Sequence, residues 1–320
     1  MQGDGTQANP YIPNTWDDFV TAIGTSEAYV ELPIELVKTS DDRVRNGKIY
    51  FDSQGNQIAA PIQSELSNYY ENNFKFDMNM VNPLGVLISF NNCHVNGNGA
   101  SIVNLYVPND DTGILIDNGT AYLQNINFLN IYGDNSSNKG VFSCRDNSRN
   151  YELTNVQFQG FINRGSMMGG SGGSIKRHTS VTFSLIFGRN AIFSPVALNS
   201  ADKYYNFCLF DFYGNPTNVF GSSNGNRFLN CKMTGELFGT SGSNALFPSD
   251  ESSSTCVIDI DVSDYDNVSF NYGNGHGNNP YIINTDKLSS ETTYEGLTGV
   301  TAQQLQDASY LRSIGFPVGD

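Results

Sequence analysis

One short pattern returns along this chain at intervals too uneven for stacked helices: an apolar residue, Asn two places on, then apolar-x-apolar. It stands as Phe90-Asn91-Asn92-Cys93-His94-Val95, Leu123-Gln124-Asn125-Ile126-Asn127-Phe128 and Leu153-Thr154-Asn155-Val156-Gln157-Phe158. After a weaker copy at Ser184-Leu185-Ile186-Phe187 come Tyr204-Tyr205-Asn206-Phe207-Cys208-Leu209, Phe228-Leu229-Asn230-Cys231-Lys232-Met233 and Tyr265-Asp266-Asn267-Val268-Ser269-Phe270. The steps are 33, 30, 29, 22, 24 and 37 residues. A helical solenoid needs a nearly fixed period, whereas a β-solenoid absorbs unequal loops while its strands stack ~4.8 Å apart.

With the Asn as a turn position, the next residue points inward: Cys93, Ile126, Val156, Leu185, Phe207, Cys231, Val268. So does the third: Val95, Phe128, Phe158, Phe187, Leu209, Met233, Phe270. The residues between are mostly polar, as a half-buried strand of period 2 requires. Further strands are expected at 101–107, 113–117, 140–144, 191–198 and 256–262, about three per coil. A β-sandwich would not repeat one register through most of the chain. The expected fold is all-β, a right-handed parallel β-helix, with Asn92, Asn125, Asn155, Asn206, Asn230 and Asn267 in one column along its axis.

The ends read as caps. Asn14 or Thr15 starts a short amphipathic helix with Trp16, Phe19, Val20 and Ile23 on one face, stopped at Gly24. Thr301-Ala302-Gln303-Gln304 matches a capping box leading a helix to about Leu311. Between the first cap and Asn92, strands are expected at 28–32, 48–51 and 73–78. The organisation is thus an N-terminal cap segment over 1–25, a β-helix over 26–290 and a helical tail over 291–320.

The opening Gly3-Asp4-Gly5-Thr6, Asn9-Pro10-Tyr11 and Trp16-Asp17-Asp18-Phe19 resembles the N-terminal segment of pectate-lyase-like β-helix proteins in phage virions and bacterial surface proteins. The tail, Thr301, Gln304-Leu305, Asp307-Ala308 and Gly315-Phe316, resembles the short helices that close such chains. The resemblance covers about 40 residues and implies an architecture rather than an activity, since the fold carries lyases, hydrolases, adhesins and inert spikes alike.

Composition narrows the function. A net charge of −15 and a pI near 4.4 argue against nucleic acid and anionic membrane as partners. Five cysteines without a CxxC pair and three histidines without HxH or HExxH give no basis for a metal or another cofactor. No apolar run is long enough to span a bilayer, and the opening lacks the features of a secretory signal.

Catalytic signals are weak. Asp259 and Asp261 share a strand face, and Asp211 and Glu236 sit just past the anchor strands of neighbouring coils; these would carry any glycan-cleaving chemistry. Among 32 acidic residues such pairs arise freely. The glycine-rich 165–173 stretch reads as a loop leaving the barrel, and Lys176-Arg177-His178 as a solvated basic cluster. Where the outward columns fail to be polar, at Leu129, Ile186, Cys208 and Phe210, an exposed stripe for self-association is expected.

These readings favour a structural, adhesive protein of a bacteriophage virion (a tail, collar or head-fibre component) assembled in the host cytoplasm, where free thiols persist. Its expected partners are copies of itself, other virion proteins and a host-surface glycan. The alternatives are a glycan depolymerase, lyase or hydrolase, and a bacterial surface adhesin that is extracellular or on the cell surface.

Overall fold

Apolar-polar alternation turns one side of each strand inward, and a chain that coils back over its own start can stack those strands in parallel. The computed structural model describes residues 1–33, 50–51, 57–58, 88–103, 106–107, 113–134, 140–145, 148–169, 175–194, 203–216, 218–220, 226–240, 255–266, 268, 270, 282–294 and 297–316. One path of parallel neighbours runs through Tyr29–Glu31, His94–Asn96, Thr120–Asp134, Asn150–Ser166, Thr182–Ser194, Leu209–Gly214, Lys232–Leu237, Val257–Asp261, Ile282–Asn284 and Thr298–Val300. Lys176–Thr179, Lys203–Asn206 and Asn226–Leu229 stack in turn on the first half of Asn150–Ser166. Another wall stacks Ile88–Asn91, Ile114–Asn118 and Phe142–Cys144. The chain is a parallel β-solenoid. The expected strand at 73–78 lies outside the described residues, and Tyr50–Phe51 pairs antiparallel with Gln57–Ile58.

The walls meet at a corner built from backbone conformation. Asn125, Asn155, Ser180, Phe207, Asn230 and Thr255 have φ of 54°, 52°, 55°, 53°, 53° and 53°, and the strand registers place them one above another. Among residues with a side chain, asparagine tolerates this left-handed region best, which is why the sequence shows Asn there so often. The Asn155 amide donates to Asn125 Oδ1 at 2.8 Å, and the Asn125 amide to Asn96 Oδ1 at 3.0 Å.

The expected Asn column is therefore corrected. Asn125, Asn155 and Asn230 belong to it, but Asn92 (φ 46°) turns a different corner, against Gly119, where its Oδ1 accepts from Thr120 N at 3.1 Å. Asn206 stands one residue ahead of the corner, and Asn267 lies outside the described residues. What the column holds in common is positive φ, which serine, threonine and even Phe207 also supply.

Inside, aromatic rings stack from rung to rung. Phe128, Phe158, Phe183 and Phe210 follow one another at centroid distances of 5.1, 5.4 and 5.5 Å, nearly parallel. This stack fixes the register of the Asn206 rung. Anchoring that rung on Asn206 slips it by one residue, and a one-residue slip exchanges inside for outside. Phe207 is 60% exposed and Leu209 half-buried, while Cys208 and Phe210, expected outward, are buried in the core. Leu129 and Ile186 are buried as well: Ile186 lies in register between the buried Phe161 and Tyr213, whose bulk on the adjacent rungs helps cover it. The exposed stripe expected of Leu129, Ile186, Cys208 and Phe210 does not exist as a surface.

The N-terminal end of the core is closed, whereas the C-terminal helices pack in a separate cluster with Ile282 and Val300. Thr15 caps the helix Trp16–Gly24, and Phe19, Ala22 and Ile23 cover the core while Val20 faces out. The free edge of Tyr29–Glu31 is satisfied by the opening segment: Tyr11 N donates to Tyr29 O, Tyr29 N to Gly5 O and Glu31 N to Tyr11 O, at 2.8–2.9 Å. A paired edge cannot template growth by another chain. At the far end the Thr301–Gln304 capping box forms. The expected single helix is two, Ala302–Gln306 and Ala308–Ser313, because the Asp307 carboxylate accepts from Ser309 N and Tyr310 N and starts a new one. The glycine-rich stretch is only partly a loop: the strand runs to Ser166, and Met167 and Met168 are buried.

Candidate binding groove

Between the two corners one wall presents a repeating tripeptide whose middle residue points inward. From the first rung upward it reads Tyr29-Val30-Glu31, His94-Val95-Asn96, Tyr122-Leu123-Gln124 and Glu152-Leu153-Thr154, in register. Arg177-His178-Thr179, Tyr204-Tyr205-Asn206 and Arg227-Phe228-Leu229 continue it. Two outward columns result, one of rings and charges, the other of carboxyl, amide and hydroxyl groups as far as Asn206, with Leu229 at its end.

The first four rungs form the floor of an open groove of about 600 Å³, with Gln7 and Pro10 also lining it. Tyr29, His94 and Tyr122 lie ring on ring, 4.3 Å apart at each step and within 3° of parallel. Because the faces are turned to each other, the stack offers its edges and polar tips to the groove. Tyr122 is 37% exposed. Burial holds the His94 imidazole below its ordinary pKa, so it is neutral at pH 7. Above it, Arg177 Nη1 donates to Glu152 Oε1 at 2.8 Å. Arg227 lies 5.1 Å over the Tyr204 ring and donates to its hydroxyl at 3.1 Å. Glu31 and Glu152 are three rungs apart, ~14 Å at ~4.8 Å per rung. Paired glycosidase carboxyls lie within ~10 Å of each other.

The four acids named from sequence lie on the wall beyond the Asn125–Thr255 corner, in Leu209–Gly214, Lys232–Leu237 and Val257–Asp261. Asp211 and Asp259 share an outward column but are separated by Thr234. Asp211 accepts from Ser184 Oγ at 3.3 Å and from Thr234 Oγ1 at 3.0 Å, which ties three rungs together. Burial alone would raise the Asp259 carboxyl, but the Asn284 amide at 2.8 Å and the Lys287 ammonium at 2.9 Å outweigh it and lower its pKa. Glu236 and Asp261 are register neighbours, and Asp261 Oδ1 accepts from the backbone and hydroxyl of Ser263. Three of these acids thus serve as links of the fold.

The Lys176-Arg177-His178 cluster is not solvated as a unit. Only Arg177 faces out; Lys176 and His178 are buried, and Lys203 lies buried one rung above Lys176. His178 Nδ1 lies 3.0 Å from the Tyr204 carbonyl, which can only accept, so Nδ1 carries the proton and Nε2 accepts from Tyr151 O–H at 3.1 Å. Burial drives the imidazole down to about 3 and the Lys203 ammonium down to about 7. Among the described residues no three His, Cys, Asp or Glu side chains converge as metal ligands, and no helix is long and apolar enough to cross a membrane.

The groove residues were not singled out from sequence. Their signal is the spaced tripeptide of ring, aliphatic and polar residue, which becomes legible only when the rungs are aligned. Compared with known protein families, with curated proteins and with solved structures, the chain matches none.

Proposed function

We propose that this chain is a structural, adhesive solenoid of a bacteriophage virion, a tail, collar or head-fibre component that engages a hydroxyl-rich host surface through its groove. The observation that carries the reading is the rigid outer wall. Stacked rings and hydrogen-bonded columns give a preorganised contact surface, and preorganisation favours binding by reducing what must be ordered. The carboxylates argue the same way, because those in the groove stand too far apart to cleave a glycan and Asp211 and Asp259 are held by neighbouring rungs. All five cysteines are buried as thiols, which suits assembly in a reducing compartment. The resemblance of both ends to β-helix proteins of virions adds to this, and assembly with other virion proteins and with copies of itself belongs to the same proposal.

Electron microscopy of particles decorated with an antibody against this chain tests it. Label on the particle is the expected result. Label confined to the bacterial surface would favour the adhesin reading instead.

A further inference from the structure

The charges around the groove restrict what can lie in it. The ionisable groups lining it are Tyr29, Glu31, His94, Tyr122 and Glu152, so among the described residues no lysine or arginine lines it. The nearest cation in the column, Arg177, is already engaged by Glu152. His94 stays neutral between two phenol rings. A polyanion entering would meet Glu31, and a Glu152 already paired with Arg177, with no further cation among the described lining residues, on a chain of net charge −15. The groups that remain are phenol hydroxyls, an imidazole, the amides of Gln7, Asn96 and Gln124 and the Thr154 hydroxyl. These both donate and accept, and they repeat at the rung spacing over ~14 Å. A chain of uncharged hydroxyl groups satisfies them at every rung.

We infer that the groove binds an uncharged glycan chain lengthwise along the solenoid axis and discriminates against acidic glycans. This rests on the adhesive reading and narrows it. Specificity of this kind comes from repulsion of the wrong ligand as much as from contacts to the right one.

The test is a glycan array carrying neutral, acidic and amine-bearing oligosaccharides, probed with the wild-type chain and four variants. Neutral glycans are expected to dominate the wild-type signal. Tyr122→Ala should weaken it at least tenfold. Tyr122→Phe, which keeps the ring stack and removes one hydroxyl, should weaken it several-fold while leaving thermal unfolding unchanged. Glu31→Gln and Glu152→Gln together, which also release Arg177, should raise binding of acidic glycans at least threefold; no change in that double variant overturns the charge argument. Acidic glycans dominating the wild-type array, or neutral binding that survives both Tyr122 variants, overturns the inference. Sedimentation with bacterial envelopes separates the two levels. Sedimentation without any array signal removes this inference alone, and no sedimentation with any of a panel of envelopes removes the adhesive reading as well.

Discussion

Phe207 and Phe210 stand three residues apart on one rung and are assigned opposite environments by the fold, so truncating each gives a sharp contrast. Phe210 is fully buried, stacked on Phe183 at 5.5 Å and edge-on to Tyr205, Phe212, Phe220 and Phe228 at 5.4–5.9 Å. Burying a Phe contributes ~1.5–3 kcal/mol by area, and an aromatic pair adds ~0.5–1.5 kcal/mol. Phe→Ala in such a site also leaves a cavity and costs about 3–5 kcal/mol in all. Phe207 has no such ring neighbours among the described residues and stands mostly in water, so Phe207→Ala falls within about 0.5 kcal/mol of wild type. Urea unfolding followed by circular dichroism measures both. Phe210→Ala should lose at least ~3 kcal/mol more than Phe207→Ala. Equal losses, or a larger loss for Phe207→Ala, would mean that this rung sits one residue away from the register described.

Three further outcomes follow from the same geometry. Phe207→Asn should raise stability by about 1 kcal/mol in the same assay, because Asn tolerates φ near +53° and Phe does not. His178 has a folded pKa of about 3 against an ordinary 6.5, so between those values the unfolded chain binds the extra proton and stability falls as pH drops through that window. His178→Phe should flatten the pH dependence between 6.5 and 3 relative to wild type, and an unchanged slope would contradict the buried neutral imidazole. Burial pushes the Cys93 thiol up to about 12 and Cys231 higher still, so maleimide should label none of the five cysteines in the native chain and all five in urea, counted by mass spectrometry.

The repeat is legible because inward apolar positions recur with period 2, and twelve of the fourteen assigned inward side chains are buried. But the Ser184 copy lies four residues past the Ser180 corner, and the Tyr265 copy pairs with Gly239 in a separate sheet. The two exceptions to burial, Phe207 and Leu209, are the rung that slipped by one residue. That slip has a physical cause. Tyr204-Tyr205-Asn206 imitates the pattern of apolar residue and Asn, yet the phenyl stack through Phe183 and Phe210 outweighs a local preference for Asn at the corner. Asn92 falls outside the column for a related reason, since one residue type serves two corners. Lys176 and His178 read as surface because charge usually means solvent, and only alignment of their rung with Tyr151 and Tyr205 puts them inside. The groove was least legible of all. Tyr29, His94 and Tyr122 are 65 and 28 residues apart, and nothing local says that coiling will lay their rings on one another.

Holding a glycan without cutting it is a proposal with two halves, and one incubation tests both. Purified chain is mixed with bacterial envelopes and with neutral and acidic polysaccharides, then pelleted protein and newly formed reducing ends are measured together over time. Retained protein and a flat reducing-end signal are the expected result. Reducing ends that rise with time, and stop rising in Asp211→Ala or Asp259→Ala, would contradict it and make the chain a depolymerase.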